Sequence, residues 1–360
     1  MKTNLTLILV TLMTFMVAGI SSAQTAPKSI SRGMVSAEKG FVAEPITLET
    51  PTVTLYGTLE RPQSKSRVPV VLLVAGSGPT DRDGNSPILP GANNSLKLLA
   101  EALAARGIAS VRYDKRGIGE TGKAMLLADE KTKTVRREED LSFESYIDDA
   151  VRWGKQLQSD RRFSTVTVIG YSEGSLIGMV TAQRIGAKAF VSIAGAGRPI
   201  RQVILEQVKS HFSPEVLKKT EEVLGQLASG KTVASVPSEL NVILRPSVQP
   251  YMISYLRYEP ATEIAKLRMP VLIVQGTTDL QTRLADARGL ADANGAAKLL
   301  LIDGMNHVLK AVPKDPAKQV ASYSDPKLPV ASELVSAICS FVNTRQASRC
   351  GQLTNVSGLD

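Results

Sequence analysis

Residues 166–174 read Val-Thr-Val-Ile-Gly-Tyr-Ser-Glu-Gly and carry the strongest structural signal in this 360-residue chain. The β-branched run at the start is typical of a buried strand, and residues 176–184 have a helical pattern. Between them lies a G-x-S-x-G motif, which predicts that Ser172 occupies a tight strand-to-helix turn with its Oγ above the sheet. We expect glycine at positions 170 and 174 because a Cβ there would collide with the neighbouring strand and helix. We therefore predict a nucleophilic serine; the alternative is an ordinary turn with a serine near a helix N-cap.

A serine nucleophile needs a base that titrates near neutrality, and the chain contains only two histidines. His307 follows a strand-like run at residues 297–302, so we expect it on a loop after a late strand. That position suits a triad in which the histidine comes last along the chain. His211 lies in a charged helical segment and is interpreted as a half-exposed helix residue. His307 is therefore the predicted base.

The acid that orients this base is expected at the carboxyl end of a strand between the serine and the histidine. Residues 269–276 form an apolar run typical of a buried strand, and Asp279 follows almost at once. Asp286 competes, but it falls within a helical pattern and is interpreted as a solvated helix carboxylate. Asp303 lies too close in sequence to His307 for the usual arrangement. Asp279 is therefore the predicted acid.

Acyl transfer also needs backbone N–H groups that stabilise a developing oxyanion. One would come from Glu173, the residue after the serine, and the other from a loop that follows an earlier strand. The apolar run at residues 68–75 is that strand, and the small residues at the start of segment 76–85 allow close backbone approach. Ser77 is the predicted second donor; a Gly-rich turn with no catalytic part is the alternative.

Two charged clusters are expected beside this loop. Residues 81–83 read Asp-Arg-Asp and are interpreted as an ion-paired cluster, with contact to a polar substrate end as the alternative. Residues 114–116 read Asp-Lys-Arg and end the predicted strand at 108–113. We predict that both clusters brace the loop through charge-assisted hydrogen bonds.

Four segments of the chain also resemble a known family. They are residues 76–85, 112–119, 172–174 and 304–307, which read GSGPTDRDGN, RYDKRGIG, SEG and GMNH. From about residue 53 onward the chain resembles bacterial α/β-hydrolases of the serine aminopeptidase S33-like group, and within it the EstD-type carboxylesterases. The resemblance implies esterase activity on short acyl esters, with a triad of Ser172, Asp279 and His307.

The chain departs from this family's pattern at two places. Tyr171 stands where many relatives carry a histidine before the nucleophile, which bears on the pocket floor rather than on the triad. Ala75-Gly76 stands where many α/β-hydrolases carry His-Gly, which bears on the identity of the second oxyanion donor.

The alternation of strand and helix patterns predicts an α/β-hydrolase fold, with a mostly parallel central sheet and helices on both faces. Two antiparallel strands are expected at residues 45–48 and 53–60. Residues 198–266 show helical patterns and no convincing strand, so we predict a helical cap insertion there. Its aromatic cluster around Tyr251 and Tyr255 is interpreted as partly cap core and partly acyl-pocket lining. The predicted division is core 45–197, cap 198–266, core 267–346 and C-terminal tail 347–360.

The first residues are interpreted as a targeting segment. Lys2, an apolar run and Ser-Ser-Ala at 21–23 predict a signal peptide over residues 1–23, followed by a tether at 24–44. A membrane anchor is the alternative, but the apolar run is short for a span. The predicted location is therefore periplasmic or secreted, with no stable membrane span after signal removal. In such a compartment Cys339 and Cys350 are predicted to form a disulfide, with two free thiols as the alternative.

Composition argues against several functional classes. The net charge is +9, but the basic residues are dispersed and no Lys/Arg run is interleaved with aromatics, so nucleic acid is not a predicted partner. No clustered His/Cys spacing indicates a metal, and no phosphate loop indicates a nucleotide, so no cofactor is predicted.

The sequence as a whole predicts an exported serine hydrolase, a carboxylesterase whose partner is a small-molecule acyl ester. A peptidase or amidase with the same triad is one alternative, with Glu173 as the candidate acid for a substrate amine. A non-catalytic binding protein on the same fold is the other. The sequence makes no prediction of oligomeric state.

Overall fold

The computed structural model describes residues 40–89, 91–132 and 138–350, with backbone alone at 128–132 and 344–350. The predicted signal peptide, nearly all of the predicted tether and most of the predicted C-terminal tail lie outside these residues. Among the described residues, no helix combines the length and apolar character needed to cross a membrane.

One sheet of eight strands organises the described part of the chain, in the order β1-β2-β4-β3-β5-β6-β7-β8. The first two strands pair antiparallel with each other, and β2 also pairs antiparallel with β4. All the later pairs are parallel. The strands are β1 (Phe41–Glu49), β2 (Thr54–Pro62), β3 (Val68–Val74), β4 (Ala109–Tyr113), β5 (Phe163–Tyr171), β6 (Ala189–Ile193), β7 (Val271–Gly276) and β8 (Lys298–Ile302).

Helices cover both faces of this sheet, which confirms the predicted fold class. Apolar side chains alternate between the faces: on β3, Leu72 packs in the cluster that contains Trp153, whereas Val71 packs in the cluster that contains Leu99 and Leu334. The helices of the core are α1 (Ser95–Ala104), α2 (Gly119–Thr132), α3 (Phe143–Ser159), α4 (Glu173–Ile185), α10 (Leu284–Ala293), α11 (Pro316–Ser322) and α12 (Ser332–Cys350).

Five further α-helices lie between β6 and β7, in the region predicted to be a cap, together with two short 3₁₀ helices, Ser238–Leu240 and Pro246–Val248. The α-helices are α5 (Ile200–His211), α6 (Pro214–Ala228), α7 (Asn241–Leu244), α8 (Gln249–Tyr255) and α9 (Pro260–Ala265). Helix α8 packs on core helix α3: the rings of Phe143 and Tyr255 stack with centroids 4.2 Å apart, and Ser254 Oγ accepts from the Phe143 N–H at 2.7 Å. The aromatic cluster of this region therefore joins it to the core as well as filling it.

Two expectations about the ends of the chain need correction. Strand β1 begins at Phe41, so residues 41–44 belong to the sheet and not to a tether. Helix α12 continues to Cys350, and Cys339 is a free, buried cysteine. Eleven helical steps separate the two cysteines, which places their Cα atoms about 16 Å apart, whereas the Cα atoms of a disulfide lie within about 7 Å. The predicted disulfide is therefore wrong for this structure.

Candidate active site

The backbone at Ser172 adopts the strained turn that the motif predicts. Its φ and ψ are 55° and −124°, and its N–H donates to the carbonyl of Ile193 on the adjacent strand at 2.9 Å. A Cβ on Gly170 would lie 2.2 Å from the carbonyl oxygen of Gly174, and one on Gly174 would lie 2.2 Å from that of Val74. Glycine at both positions thus lets the turn pack between β3, β5 and α4.

The predicted acid and base are in contact. His307 Nδ1 lies 2.9 Å from Asp279 Oδ2, and the two side chains are 5% and 1% exposed. Ser172 is 4% exposed, and it lines one pocket together with His307. The fold therefore brings the three residues predicted from sequence to one place, at the carboxyl ends of the parallel strands.

Asp279 is held as a carboxylate by its surroundings. Its Oδ1 accepts from the N–H groups of Gln281 and Thr282 at 2.7 and 3.0 Å, and its Oδ2 accepts from Thr282 Oγ1 at 2.8 Å. Burial alone would raise the pKa of this carboxyl, but the nearby His307 and these hydrogen bonds outweigh burial, and the pKa lies below its ordinary value. An ionised Asp279 fixes the Nδ1–H tautomer of His307 and leaves Nε2 free to act as a base.

Two side chains that are not among the predicted site residues hold the His307 loop. Tyr171, the residue before the nucleophile, donates its hydroxyl to the His307 carbonyl at 2.9 Å. Asn306 donates to Ser322 Oγ at 2.8 Å and to Gln319 Oε1 at 3.2 Å, both on helix α11. For Tyr171, its position directly before the nucleophile in the motif could have indicated a role at the site. For Asn306, no sequence feature indicated the contacts, because helix α11 was not predicted.

The same loop contains a buried lysine whose charge opposes folding. Lys310 donates to the carbonyl of Leu328, and burial, only partly offset by Asp325, lowers the pKa of the amine from 10.5 to about 8. Between these values the unfolded chain binds more protons than the folded chain, so stability should rise with pH across that window. Urea unfolding at pH 7, 9 and 10.5 should show this rise in the wild type and a smaller one in Lys310→Met. Equal slopes in the two proteins would contradict it.

The two predicted oxyanion donors belong to segments that a buried lysine joins. Glu173 is the first residue of α4, and Ser77 follows β3. Lys115, after β4, donates through Nζ to the carbonyl of Gly76, the residue before Ser77, and lies 3.7 Å from Glu173 Oε1. The side chains of Lys115 and Glu173 are 3% and 4% exposed. We call this arrangement the Lys115 bridge.

Burial shifts both charged groups of the Lys115 bridge toward their neutral forms. It raises the pKa of Glu173 and lowers that of Lys115, and their mutual attraction opposes both shifts. Removing one partner would leave the other charge buried and uncompensated. We therefore expect that removing one partner lowers the free energy of unfolding more than replacing both partners does.

Lys115→Met should lower the free energy of unfolding by about 3 kcal/mol, because it leaves the Glu173 carboxylate buried without its counter-charge. Lys115→Met combined with Glu173→Gln should recover part of this loss. Lys219→Met, which breaks an exposed pair with Glu222, is the matched control and should hardly move the urea midpoint. A Lys115→Met midpoint equal to that of the control would show that the bridge contributes nothing.

Most of the charged residues brace the loop as predicted, but Arg116 pairs instead with Asp149 on α3. Arg82 Nη2 lies 2.8 Å from Asp114 Oδ2, and the Arg82 N–H donates to Asp114 Oδ1 at 2.9 Å. Arg112 Nε lies 2.8 Å from Asp83 Oδ1, and the same guanidinium pairs with buried Glu60. Ion pairs thus attach the segment that carries Ser77 to β4 and to the residue after it, and Arg112 links this attachment to Glu60 on β2.

The two rejected candidates lie apart from this constellation. His211 is exposed, and its Nδ1 lies 2.8 Å from the carbonyl of Gln207 on its own helix. Asp286 does not fit the predicted solvated carboxylate: it is 1% exposed and binds Arg198 through both oxygens, at 2.8 and 2.9 Å. The guanidinium supplied by the segment after β6 explains its burial.

Two pockets meet at Ser172. The cap pocket has mostly apolar walls, and its lining residues are Ser172, Glu173, Leu176, Ala196, Arg198, Ile200, Val203, Tyr255, Pro260 and Thr282. The loop pocket is more polar, and its lining residues are Gly76, Ser77, Thr80, Gly84, Ser86, Leu89, Asn93, Tyr171, Ser172, Gln281, His307, Val308 and Tyr323. In the part of the chain that the structure describes, no group of three or more His, Cys, Asp or Glu side chains is placed to hold a metal ion.

Known proteins are similar to this chain in sequence or in fold. Residues 92–311 match the family described as serine aminopeptidase, S33. The esterase EstD of Thermotoga maritima is 30% identical over 272 residues, which are 74% of this chain and 61% of EstD. This chain therefore matches about three fifths of the length of that curated relative.

Solved structures support the fold alone, because their sequence identity is low. An esterase from Pyrococcus furiosus superposes with a TM-score of 0.53 at 15% identity, covering 91% of this chain and 98% of its own. Est1E from Butyrivibrio proteoclasticus, solved with ferulic acid bound, gives a TM-score of 0.51 at 14% identity, covering 85% of this chain and 99% of its own. With its eight-stranded sheet and the match over residues 92–311, the chain belongs to the serine aminopeptidase S33 family of α/β-hydrolase-fold proteins.

Proposed function

We propose that this protein is a serine carboxylesterase that acts through Ser172, His307 and Asp279. The observation that carries the proposal is the buried His307–Asp279 contact of 2.9 Å beside a pocket that also contains Ser172. A carboxylate on Nδ1 directs Nε2 of the same ring to the pocket side, where a serine hydroxyl needs a base. The similarity to EstD supports an ester as the substrate.

The reaction follows from these positions. Ser172 Oγ attacks the ester carbonyl while His307 Nε2 takes its proton, and Asp279 stabilises the resulting imidazolium. The backbone N–H groups of Glu173 and Ser77 are the proposed donors to the tetrahedral oxyanion. His307 then gives its proton to the leaving alkoxide, which leaves an acyl-serine. A water molecule, deprotonated by His307, releases the acid.

The electrostatics of the pockets favour an ester over a peptide with a free amino terminus. Recognition of a substrate ammonium needs an acid without a partner. Glu173 is the only acid that lines either pocket among the described residues, and it already lies 3.7 Å from the Lys115 amine. The remaining cation of the cap pocket, Arg198, is bound by Asp286 and Glu206.

Parallel assays separate the three candidate functions. We expect the wild-type protein to hydrolyse p-nitrophenyl butyrate far faster than leucine p-nitroanilide, and a fluorophosphonate probe to label Ser172. Faster turnover of the anilide would assign a peptidase. Folded protein without label or turnover would assign a binding protein.

Asp279→Asn should lower kcat for p-nitrophenyl butyrate by about 10⁴-fold, because an amide at this position favours the wrong His307 tautomer. Asp303→Asn is the matched control, since Asp303 accepts from Thr277 Oγ1 on the neighbouring loop and does not contact the histidine. Steady-state kinetics on both variants measures the difference. Similar kcat values for the two variants would remove Asp279 from the triad.

We further propose that the protein is exported, on the strength of the signal-like segment at residues 1–23. The expected mature chain begins at Gln24. Expression of the full chain in a Gram-negative host, followed by osmotic-shock fractionation and intact mass measurement, tests this. A full-length chain confined to the cytoplasm would contradict it.

A further inference from the structure

The two pockets at Ser172 differ in their relation to His307. His307 lines the loop pocket, and it is absent from the residues that line the cap pocket. Because the general acid must protonate the departing oxygen, the alcohol part of an ester has to lie on the histidine side. The acyl chain then occupies the cap pocket, against walls that include Leu176, Ile200 and Val203.

The loop pocket contains a buried hydroxyl that nothing in the described protein satisfies. Ser86 is 6% exposed, and its Oγ has no hydrogen-bond partner among the described residues. A buried polar group without a partner costs about 1–3 kcal/mol. Such a group in a native pocket calls for an explanation, and a hydroxyl on the substrate supplies one.

A second hydroxyl of the loop pocket, that of Tyr323, can donate a hydrogen bond to a substrate. Tyr323 accepts from Gln281 Nε2 at 2.9 Å through its phenol oxygen. Burial, followed by the nearby Asp279 charge, raises the pKa of Tyr323, so the phenol keeps its proton. By contrast, the amide of Asn93 is already engaged, donating to the Gly84 carbonyl and accepting from the Ser95 N–H.

Charge restricts the class of alcohol further. The described lining of the loop pocket includes no Asp, Glu, Lys or Arg, and its single titratable base is His307. A cationic or anionic alcohol would therefore lose hydration without gaining a counter-charge. An apolar alcohol would leave Ser86 unsatisfied. An uncharged alcohol that bears further hydroxyls meets both conditions.

We infer that the natural substrate is an ester of a neutral polyol, such as a glycerol- or sugar-type alcohol. Its free hydroxyls bind Ser86 and Tyr323 in the loop pocket, while its acyl chain lies in the cap pocket. This inference rests on the proposed esterase function, and it adds the identity of the leaving group.

A matched pair of esters tests it. Propyl butyrate and 2,3-dihydroxypropyl butyrate share the acyl group and the carbon count of the alcohol and differ only in two hydroxyls. We expect kcat/KM of the wild type to favour the dihydroxypropyl ester by about tenfold or more, because a site that hydrogen-bonds a substrate hydroxyl rejects the analogue without it. An apolar alcohol site would favour the propyl ester instead.

Variants of Ser86 and Tyr323 test whether these two hydroxyls cause the preference for the dihydroxypropyl ester. Ser86→Ala and Tyr323→Phe should each reduce the ratio of the two kcat/KM values by about fivefold, corresponding to one hydrogen bond. Ser66→Ala, in the exposed β2–β3 turn, and Tyr56→Phe, on β2, are the matched controls and should keep the wild-type ratio. Thermal unfolding of every variant verifies folding, and Ser86→Ala decides alone if Tyr323→Phe does not fold.

The outcomes separate this inference from the proposed function. Turnover that depends on Ser172 but shows no preference, or favours propyl butyrate, overturns the polyol inference and leaves the esterase intact. A preference that survives both variants also overturns it, because the hydroxyls would then be recognised elsewhere. No Ser172-dependent turnover of any ester overturns the proposed function itself.

Discussion

Ser172→Ala is expected to lower kcat for p-nitrophenyl butyrate by about 10⁶-fold, since loss of the nucleophile from a triad costs as much as loss of the whole triad. The neighbouring serine of α4 is not placed to replace it. The nearest serine along the helix, Ser175, is buried, and its Oγ lies 2.7 Å from Ser192 Oγ. The folded state should remain intact, because alanine keeps the Cβ and the N–H that bonds to the Ile193 carbonyl.

Single-turnover kinetics and fluorophosphonate labelling together measure this effect. Ser229→Ala, on the surface at the end of α6, is the control and should keep wild-type rates. Residual activity of Ser172→Ala within tenfold of the wild type, in protein freed of host esterases, would exclude Ser172 as the nucleophile.

His307→Ala is expected to reduce kcat to a similar degree, because the serine loses its base and the alkoxide its acid. The chain supplies a matched control in its other histidine. His211 is exposed, and its Nδ1 contacts the carbonyl of Gln207 on its own helix, so His211→Ala should retain wild-type kcat. Two histidine-to-alanine changes in one protein should therefore differ by several orders of magnitude.

Steady-state kinetics on both variants measures this difference. Equal kcat values for His307→Ala and His211→Ala would remove His307 from the triad.

The parts of the fold that could be predicted were those with local signals. Helix α6 begins and ends as expected, since Ser213 accepts from the Val216 N–H and Pro214 occupies its first position. The elements that were missed lacked such signals. Helix α11, for example, is only seven residues long. Strand β1 extends beyond its predicted start because its pairing with β2 extends to Phe41.

The site shows the same division between local and long-range information. Ser172, Asp279 and His307 were recognisable because each follows a strand, and strand ends of a parallel sheet meet at one edge. The Lys115 bridge joins segments after β3, β4 and β5, which are neighbours only in the observed strand order. The burial of Asp286 likewise depends on Arg198, 88 residues away along the chain. Such pairings follow from topology and cannot be read from one segment.

The backbone conformation of Ser172 affects how the thermal stability of this protein can be increased. A non-glycine residue at a φ of 55° and ψ of −124° stores about 1–3 kcal/mol of conformational strain. Glycine at 172 would relieve that strain but remove the proposed nucleophile, so the fold and the proposed reaction favour different residues at one position. If Ser172 is the nucleophile, variants selected for heat resistance alone will tend to drift away from serine here.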